Sequence, residues 1–338
     1  MRIANIMLGN GKGGLEQAAL SYAEALAARG HHTTTIVRPD SWAANKLRSL
    51  SLPFAPLRLP YSWNPFCRIQ MRSLLLACDV AFVHGNRAAA FLPLTARRPK
   101  IIAVVHSRLF DDAAVFDALI ALTPAAQKQL ASLRSGRPVF LIPNMLEMPA
   151  PIPRSNFRAP PVIAAFGRHA REKGFDLFIE ALAILKAQGV MFNAVIGGAG
   201  PETESLKALV ASRQLSERVA FPGWVENKSA FFEQADVFCL PSRTESFGLA
   251  LLEAMAYGCP SVATNCIGPS SFLRDADTGY LCKQEPIQIA VSLKRVLESP
   301  EQHIAMGARA RQQVQEQYSL PIIAEQLDRM LSRLFEQT

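Results

Sequence analysis

No run of about 18 consecutive apolar residues occurs in the 338-residue sequence, which argues against a membrane-spanning helix. No secretory n-region and h-region is seen either, and none is expected: Met1-Arg2-Ile3-Ala4-Asn5 runs straight into a strand-like segment. Cysteine is sparse. The six (67, 78, 239, 259, 266 and 282) form no C-x-x-C pair and no metal-like spacing, which predicts reduced thiols in a cytoplasmic protein and no disulfide framework. Repeats of 20–50 residues and low-complexity tracts are absent, which argues against a solenoid. Acidic residues are scarce in one half only. Residues 1–156 hold 8 Asp and Glu against 18 Lys and Arg, and the remainder holds 20 against 18. A basic first half expects an anionic partner such as nucleic acid, acidic lipid or a phosphorylated acceptor, or it serves solubility alone.

What is present is enough for two domains. Nearly half the residues are apolar, and short β-like runs alternate with helical stretches, which predicts doubly wound parallel α/β sheets. In the first half, strands are expected at Arg2–Leu8, Thr34–Val37, Val80–His84, Ile101–His106, Leu119–Thr123 and Val139–Pro143. Helices are expected at Leu15–Arg29, Pro65–Ala77, Ala88–Thr95 and Pro124–Leu133. Residues 41–64, with Trp42 and Trp63, read as an irregular apolar lid or acceptor loop. The proline-rich 147–161 reads as a linker between an N-terminal domain, 1–146, and a C-terminal domain, 162–318. There the expected strands are Val162–Gly167, Asn193–Gly197, Val219–Pro222, Val237–Leu240, Ser261–Thr264 and Gly279–Cys282. The expected helices are Gly174–Gln188, Glu202–Arg213, Lys228–Gln234, Phe247–Ala256 and Pro286–Leu297, followed by a helical tail broken near Ser319–Pro321.

Three stretches carry chemistry. In "FGRHAREKGF", 166–175, Arg168 and Lys173 lie between a strand end and a helix start, where charge and helix dipole converge on an anion. The glycines of "IGGAGPE", 196–202, including Gly198, allow a ring or phosphate to approach, or simply make a turn. In "PSRTESFGLALLEAMAYG", 241–258, Glu245 and Glu253 stand eight residues apart, and Phe247-Gly248-Leu249 opens a helix whose N–H groups face a phosphate. Carboxylates suit the paired hydroxyls of a sugar or a ribose. The turn Gly9-Gly11-Gly14 spells G-x-G-x-x-G, which by itself points to a dinucleotide and an NAD(P)-dependent oxidoreductase.

The stretch 241–264 resembles the E-x7-E signature of retaining GT4-type glycosyltransferases (glycosyl transferases group 1), and the likeness extends over nearly the whole chain. It implies the GT-B fold: two Rossmann-like domains facing across a cleft, with residues 319–338 returning to the first. It further implies that Arg168 and Lys173 grip the nucleotide diphosphate, Glu245 holds the donor sugar and Glu253 the ribose. Ser246, Phe247, Gly248 and Leu249 would approach the diphosphate and sugar, and Val225 in "FPGWV" would lie beside the base. Gly13 and Gly14 would lie against the donor, Glu16 and His84 on the acceptor side, and His106 would reach the donor sugar. The G-x-G-x-x-G then becomes a coincidence. The oxidoreductase reading keeps Asp40 as its acid but leaves Arg168, Lys173, Glu245 and Glu253 unused. A non-catalytic sugar-nucleotide-binding protein is the other alternative.

By this resemblance the expected activity is metal-independent, with no cofactor. A sugar passes from a nucleotide-sugar donor, by family frequency a UDP-sugar, to an envelope glycan or glycolipid such as lipopolysaccharide core. The location is cytoplasmic, with the basic N-terminal domain against an anionic membrane surface and no nucleic acid involved. Asp275-Ala276-Asp277 spells D-x-D but reads as a turn, and Asp111-Asp112 reads as a helix start. Two departures stand out: Met145 follows Asn144 where the family often has glycine, and Ser270 and Ser271 stand where it often has a glutamate.

Overall fold

Apolar strands buried on both faces are what a parallel sheet requires, and each strand pairing in the computed structural model is parallel. The structure describes residues 1–58, 65–92, 98–106, 115–133 and 136–336. The chain divides into two compact units, Met1–Glu147 with Tyr318–Thr338, and Met148–Gln317.

The first unit is built on β1 (Arg2–Met7), β2 (His32–Val37), β3 (Phe54–Pro56), β4 (Val80–His84), β5 (Lys100–Val105), β6 (Ala118–Ala121) and β7 (Val139–Leu141). Its sheet order is β3-β2-β1-β4-β5-β6-β7. The helices are α1 (Gly14–Ala28), α2 (Trp42–Ser49), α3 (Pro65–Leu76), α4 (Asn86–Ala89) and α5 (Pro124–Leu133). Ile6, Val83, Ile101 and Phe116 fill one side of the sheet. Leu20, Val37, Ala44 and Leu47 fill part of the other.

Residues 41–58 are not an irregular lid. Ser41 caps α2 by accepting a hydrogen bond from the Ala44 N–H at 3.1 Å. Phe54–Pro56 then adds the edge strand β3, a position that tolerates proline. Trp63 lies outside the described residues, as do Asp111, Asp112 and the end of the helix expected at Ala88–Thr95, of which Asn86–Ala89 is seen.

The second unit contains β8 (Val162–Phe166), β9 (Asn193–Gly197), β10 (Val219–Ala220), β11 (Val237–Leu240), β12 (Ser261–Thr264) and β13 (Tyr280–Cys282). Their order is β10-β9-β8-β11-β12-β13. The helices are α6 (Phe175–Ala187), α7 (Thr203–Ser212), α8 (Lys228–Gln234), α9 (Leu249–Ala256), α10 (Pro286–Glu298) and α11 (Pro300–Gln317). Helices α6 and α10 supply much of the core, including Phe178, Ile179, Leu182 and Leu293. The proline-rich residues 148–161 group with this unit. There the Arg154 guanidinium donates to the Phe232 carbonyl at 2.7 Å, and Arg158 pairs with Asp236 at 2.9 Å. The chain then returns to the first unit as α12 (Leu320–Glu336), which packs along α1. Its Asp328 accepts from Arg29 at 2.9 Å and pairs with His31 at 3.1 Å, while Lys100 donates to the Leu334 carbonyl at 2.9 Å.

Strand order reverses between β1 and β4 in the first unit and between β8 and β11 in the second. In open α/β sheets, loops leaving the carboxyl ends of strands at such reversals form ligand crevices.

Candidate functional site

The loops leaving β8 and β11 carry most of the residues singled out in the second unit. After β8 the chain passes Arg168 and a single 3-10 turn, Arg171–Lys173, before Gly174 starts α6 in a left-handed conformation, φ 65°. After β11 it runs through Ser242 and Arg243 to Glu245. Three links tie the two loops together. Arg243 grips Asp176 with two hydrogen bonds of 2.6 Å, the Arg243 N–H donates to the Glu172 carbonyl at 2.8 Å, and Lys173 Nζ donates to Glu245 Oε2 at 2.5 Å. The Ser242 hydroxyl lies 3.4 Å from the same Glu245 oxygen. Arg168 is more exposed and pairs with Glu172 one helical turn on. Lys173 and Glu245 therefore meet, whereas Arg168 reaches outward.

The chain from Glu245 to Glu253 turns sharply into α9. Gly248 has φ 101°, so the helix begins at Leu249, two residues later than its sequence suggested. Phe247 is buried and stacks on Phe272, ring centroids 4.9 Å apart. Ser246 and Leu249 are half-buried. As in any helix, the first N–H groups of α9 have no intrahelical acceptor and carry the positive end of the dipole. On the first turns of α9, Glu253 is only 7 % exposed and its Oε2 accepts from Lys228 Nζ at 2.9 Å. It is not the surface acid that a plain amphipathic helix would carry there. Lys228 had no motif to reveal it; it lies 25 residues from Glu253 and meets it only through the fold.

Gly198 has a reason to be glycine that needs no ligand. Its φ is 118°, and a Cβ there would collide with the Gly167 carbonyl oxygen and lie 2.9 Å from the carbonyl carbon. Its N–H donates to the Gly223 carbonyl at 2.6 Å, which pins the "FPGWV" stretch to this loop. Val225 packs against Gly197 on the same stretch. The buried His169 imidazole bonds the Thr203 hydroxyl at 2.9 Å, and burial lowers its pKa. Ser270 and Ser271 turn their hydroxyls onto their own loop, donating to the carbonyls of Cys266 and Gly268, both at 2.6 Å. Asp277 pairs with Arg309 at 2.9 Å and Arg274 at 3.2 Å, and Asp275 accepts from the Leu281 N–H at 2.9 Å, so the D-x-D is an ion-paired turn. Among the described residues no cluster of three or more His, Cys, Asp or Glu could hold a metal ion.

In the first unit the glycine turn is filled from within. Glu16, 6 % exposed, accepts from the N–H groups of Gly11 and Gly13, both at 3.1 Å. A Cβ at Gly9 would collide with the same carboxylate. A cofactor pyrophosphate would need those donors and would meet a negative charge in their place. Gly14 is the first residue of α1. Both oxygens of Glu16, expected on the acceptor side, hold the turn.

At the ends of β4 and β5, His84 Nδ1 and His106 Nε2 lie 3.0 Å apart, and His84 Nε2 lies 2.9 Å from Asn5 Oδ1. His84, expected on the acceptor side, is buried with both nitrogens engaged and braces His106. Burial holds the His106 pKa at about 4 against an ordinary 6.5; burial and then the neighbouring His106 hold His84 well below that value. Between pH 6.5 and about 4 the unfolded chain binds protons that these imidazoles refuse, so stability rises with pH across that window. The contribution is complete above about 6.5 and is lost as pH falls toward 4. The thermal midpoint of the first unit should therefore climb from pH 4 to 6.5, and a His106→Asn variant should climb less steeply. An unchanged slope in the variant would remove His106 as the cause.

With this geometry in place, two family profiles divide the chain between them. Glycosyl transferases group 1 matches residues 152–313 and Glycosyltransferase Family 4 matches residues 12–148. Both halves of the chain thus match glycosyltransferase families, group 1 in the second and family 4 in the first. It is an enzyme, a glycosyltransferase, and the dinucleotide reading of the glycine turn is set aside. Among its relatives is LpsE of Rhizobium meliloti, a lipopolysaccharide core biosynthesis glycosyltransferase. LpsE is 29% identical over 301 residues, 83% of this chain and 84% of that one. An uncharacterized glycosyltransferase of Haemophilus influenzae is 32% identical over 166 residues, so the match spans 47% of that relative and 48% of this chain. Anabaena HepE, solved in complex with UDP and glucose, aligns with a TM-score of 0.83 and 18% identity over 98% of this chain and 99% of HepE. That likeness gives the fold, GT-B. Within the family, Lys228, Arg243 and Asn5 are the side chains that motif spacing left out.

Proposed function

We propose that this glycosyltransferase moves a sugar from a UDP-sugar, with retention of anomeric configuration and without a metal, to an envelope glycan or lipid-linked acceptor such as lipopolysaccharide core. The observation that carries the reading is a pair of lysine-held carboxylates, Lys173–Glu245 and Lys228–Glu253, on either side of the first turn of α9. LpsE and the UDP-bound HepE support the acceptor and the donor base.

Breaking the sugar C1–O bond leaves positive charge on the ring and negative charge on the departing diphosphate. In this reading Lys173 and the N-terminus of α9, with a smaller share from the exposed Arg168, stabilise that negative charge. Glu245, engaged by Lys173 and Ser242, serves sugar hydroxyls better than it serves as a nucleophile, which favours attack from the face the diphosphate leaves. Glu253 takes the ribose. His106, kept neutral by burial, can donate or accept one hydrogen bond at the sugar without adding charge.

UDP at 100 times its Kd should stabilise the fold by about 2.7 kcal/mol, seen as a thermal shift absent with NAD(P). Product anomers read by NMR should keep the donor's configuration, and EDTA should leave the rate unchanged. Inverted product or loss of rate in EDTA would overturn the mechanism, and a shift only with GDP- or ADP-sugars would overturn the donor base.

A membrane surface completes the proposal. Helix α3 turns Cys67, Met71 and Leu75 inward, while Phe66, Ile69 and Leu76 are 76%, 64% and 53% exposed on the opposite side. Arg68 and Arg72 flank them, and the helix has no acid. Apolar side chains beside arginines suit an anionic lipid surface at the cytoplasmic face of the membrane. No helix among the described residues is long and apolar enough to cross a membrane. The protein should sediment with vesicles containing phosphatidylglycerol and not with phosphatidylcholine alone. Phe66→Ser with Ile69→Ser should release it, and retention by that variant would move the contact elsewhere.

A further inference from the structure

Lys228 is unaccounted for by the diphosphate grip. It opens α8, whose start is fixed by Asn227 accepting the Ala230 N–H at 3.0 Å. Its ammonium lies 2.9 Å from Glu253 Oε2 and 3.6 Å from the centroid of the Phe166 ring at the end of β8. Phe166 in turn packs edge-on against Phe231 and Phe232 of α8, centroids 5.3 and 5.8 Å away. The lysine is thus held from two sides, by a carboxylate and by an aromatic face on a different strand. The carboxylate is on helix α9 and the ring on strand β8, so the ammonium is anchored to two separate elements.

That place matters because Glu253 is almost fully buried. A buried carboxylate that loses its cation is left uncompensated and swings toward water. That movement would remove a double hydrogen-bond acceptor for a vicinal diol. Lysine has only N–H donors, and a carboxylate has about four acceptor sites, so Lys228 can hold Glu253 without exhausting it.

We propose that Lys228 is a positioning residue for nucleoside recognition: it keeps Glu253 aimed, so that the donor must present both ribose hydroxyls. This inference rests on the reading of Glu253 as the ribose acid. It makes selectivity for ribose over 2′-deoxyribose depend on a residue that need not touch the nucleotide.

The test is calorimetric binding of UDP and 2′-deoxy-UDP to the wild type and to the Lys228→Met, Lys228→Arg and Glu253→Gln variants, with thermal midpoints measured alongside. The wild type should prefer UDP by roughly tenfold or more, the loss expected for a charge-assisted hydrogen bond. Lys228→Met should weaken UDP by about the same factor and leave 2′-deoxy-UDP nearly unchanged, matching Glu253→Gln. Lys228→Arg should recover part of the preference. Equal weakening of both ligands in Lys228→Met, or full preference retained, overturns the positioning role while leaving the donor reading intact. A folded wild type that binds UDP and 2′-deoxy-UDP alike overturns the ribose assignment of Glu253, and this inference with it.

Discussion

Lys173→Ala should lower kcat by about 10²–10³, the loss measured when one preorganised donor to a developing anion is removed. Two effects combine. The ammonium lies at the reversal between β8 and β11, on the loop next to the N-terminus of α6, where a departing diphosphate would gather negative charge. It also holds Glu245, which is 14 % exposed, through the 2.5 Å hydrogen bond. Removing it leaves a mostly buried carboxylate without that cation and loosens the loop that carries it. Residues acting as one unit are not additive. Lys173→Ala combined with Glu245→Gln should therefore cost little more than the worse single variant. Arg168→Ala should cost much less, because its side chain is 64% exposed and paired with Glu172. The measurement is kcat and KM for each variant with a UDP-sugar. Equal losses from Arg168 and Lys173, or strictly multiplicative losses in the double variant, would mean that Lys173 and Glu245 do not act together.

Gly198→Ala should destabilise the second unit by roughly 4 kcal/mol, combining left-handed strain with overpacking against backbone. The clash is with the carbonyl of Gly167, backbone one residue past the paired end of β8, so no side chain can rotate away to make room. Gly189 is the matched control. Its φ is also positive, 75°, but an added Cβ would meet nothing within 4 Å. Gly189→Ala should cost only about 1 kcal/mol of backbone strain. Thermal midpoints compare the two, and hydrogen exchange should show the loss concentrated in β8 and β9. Similar midpoints for both variants would mean that the Gly198 loop relaxes freely.

The framework was largely legible. Val80–His84, Asn193–Gly197, Val237–Leu240 and Ser261–Thr264 are apolar runs bounded by turns, and they were placed to the residue. Glu245 and Glu253 were legible because their spacing is local to one loop and helix. Their lysines lie 72 and 25 residues away in sequence, which no local pattern encodes. The grip of Arg243 on Asp176 spans 67 residues and was invisible for the same reason. Glu16 was visible as a residue, but its direction was not. The N–H groups of the glycine turn take it inward, a choice made by hydrogen-bond satisfaction and not by composition. Residues 41–58 misled because an eight-residue helix and a three-residue edge strand are too short to show a period.

The position of α12 has a consequence for biogenesis. Ile323, Leu327, Met330, Leu331 and Leu334 are buried in a helix that is translated only after the entire second unit. Until the ribosome has passed α11, the surface of α1 that α12 will cover stays bare, and the second unit can finish folding before it is closed. Emerging order is thus the reverse of sequence order, and the first-made part of the protein is the last to close. A nascent chain stalled before residue 318 should display that surface to chaperones.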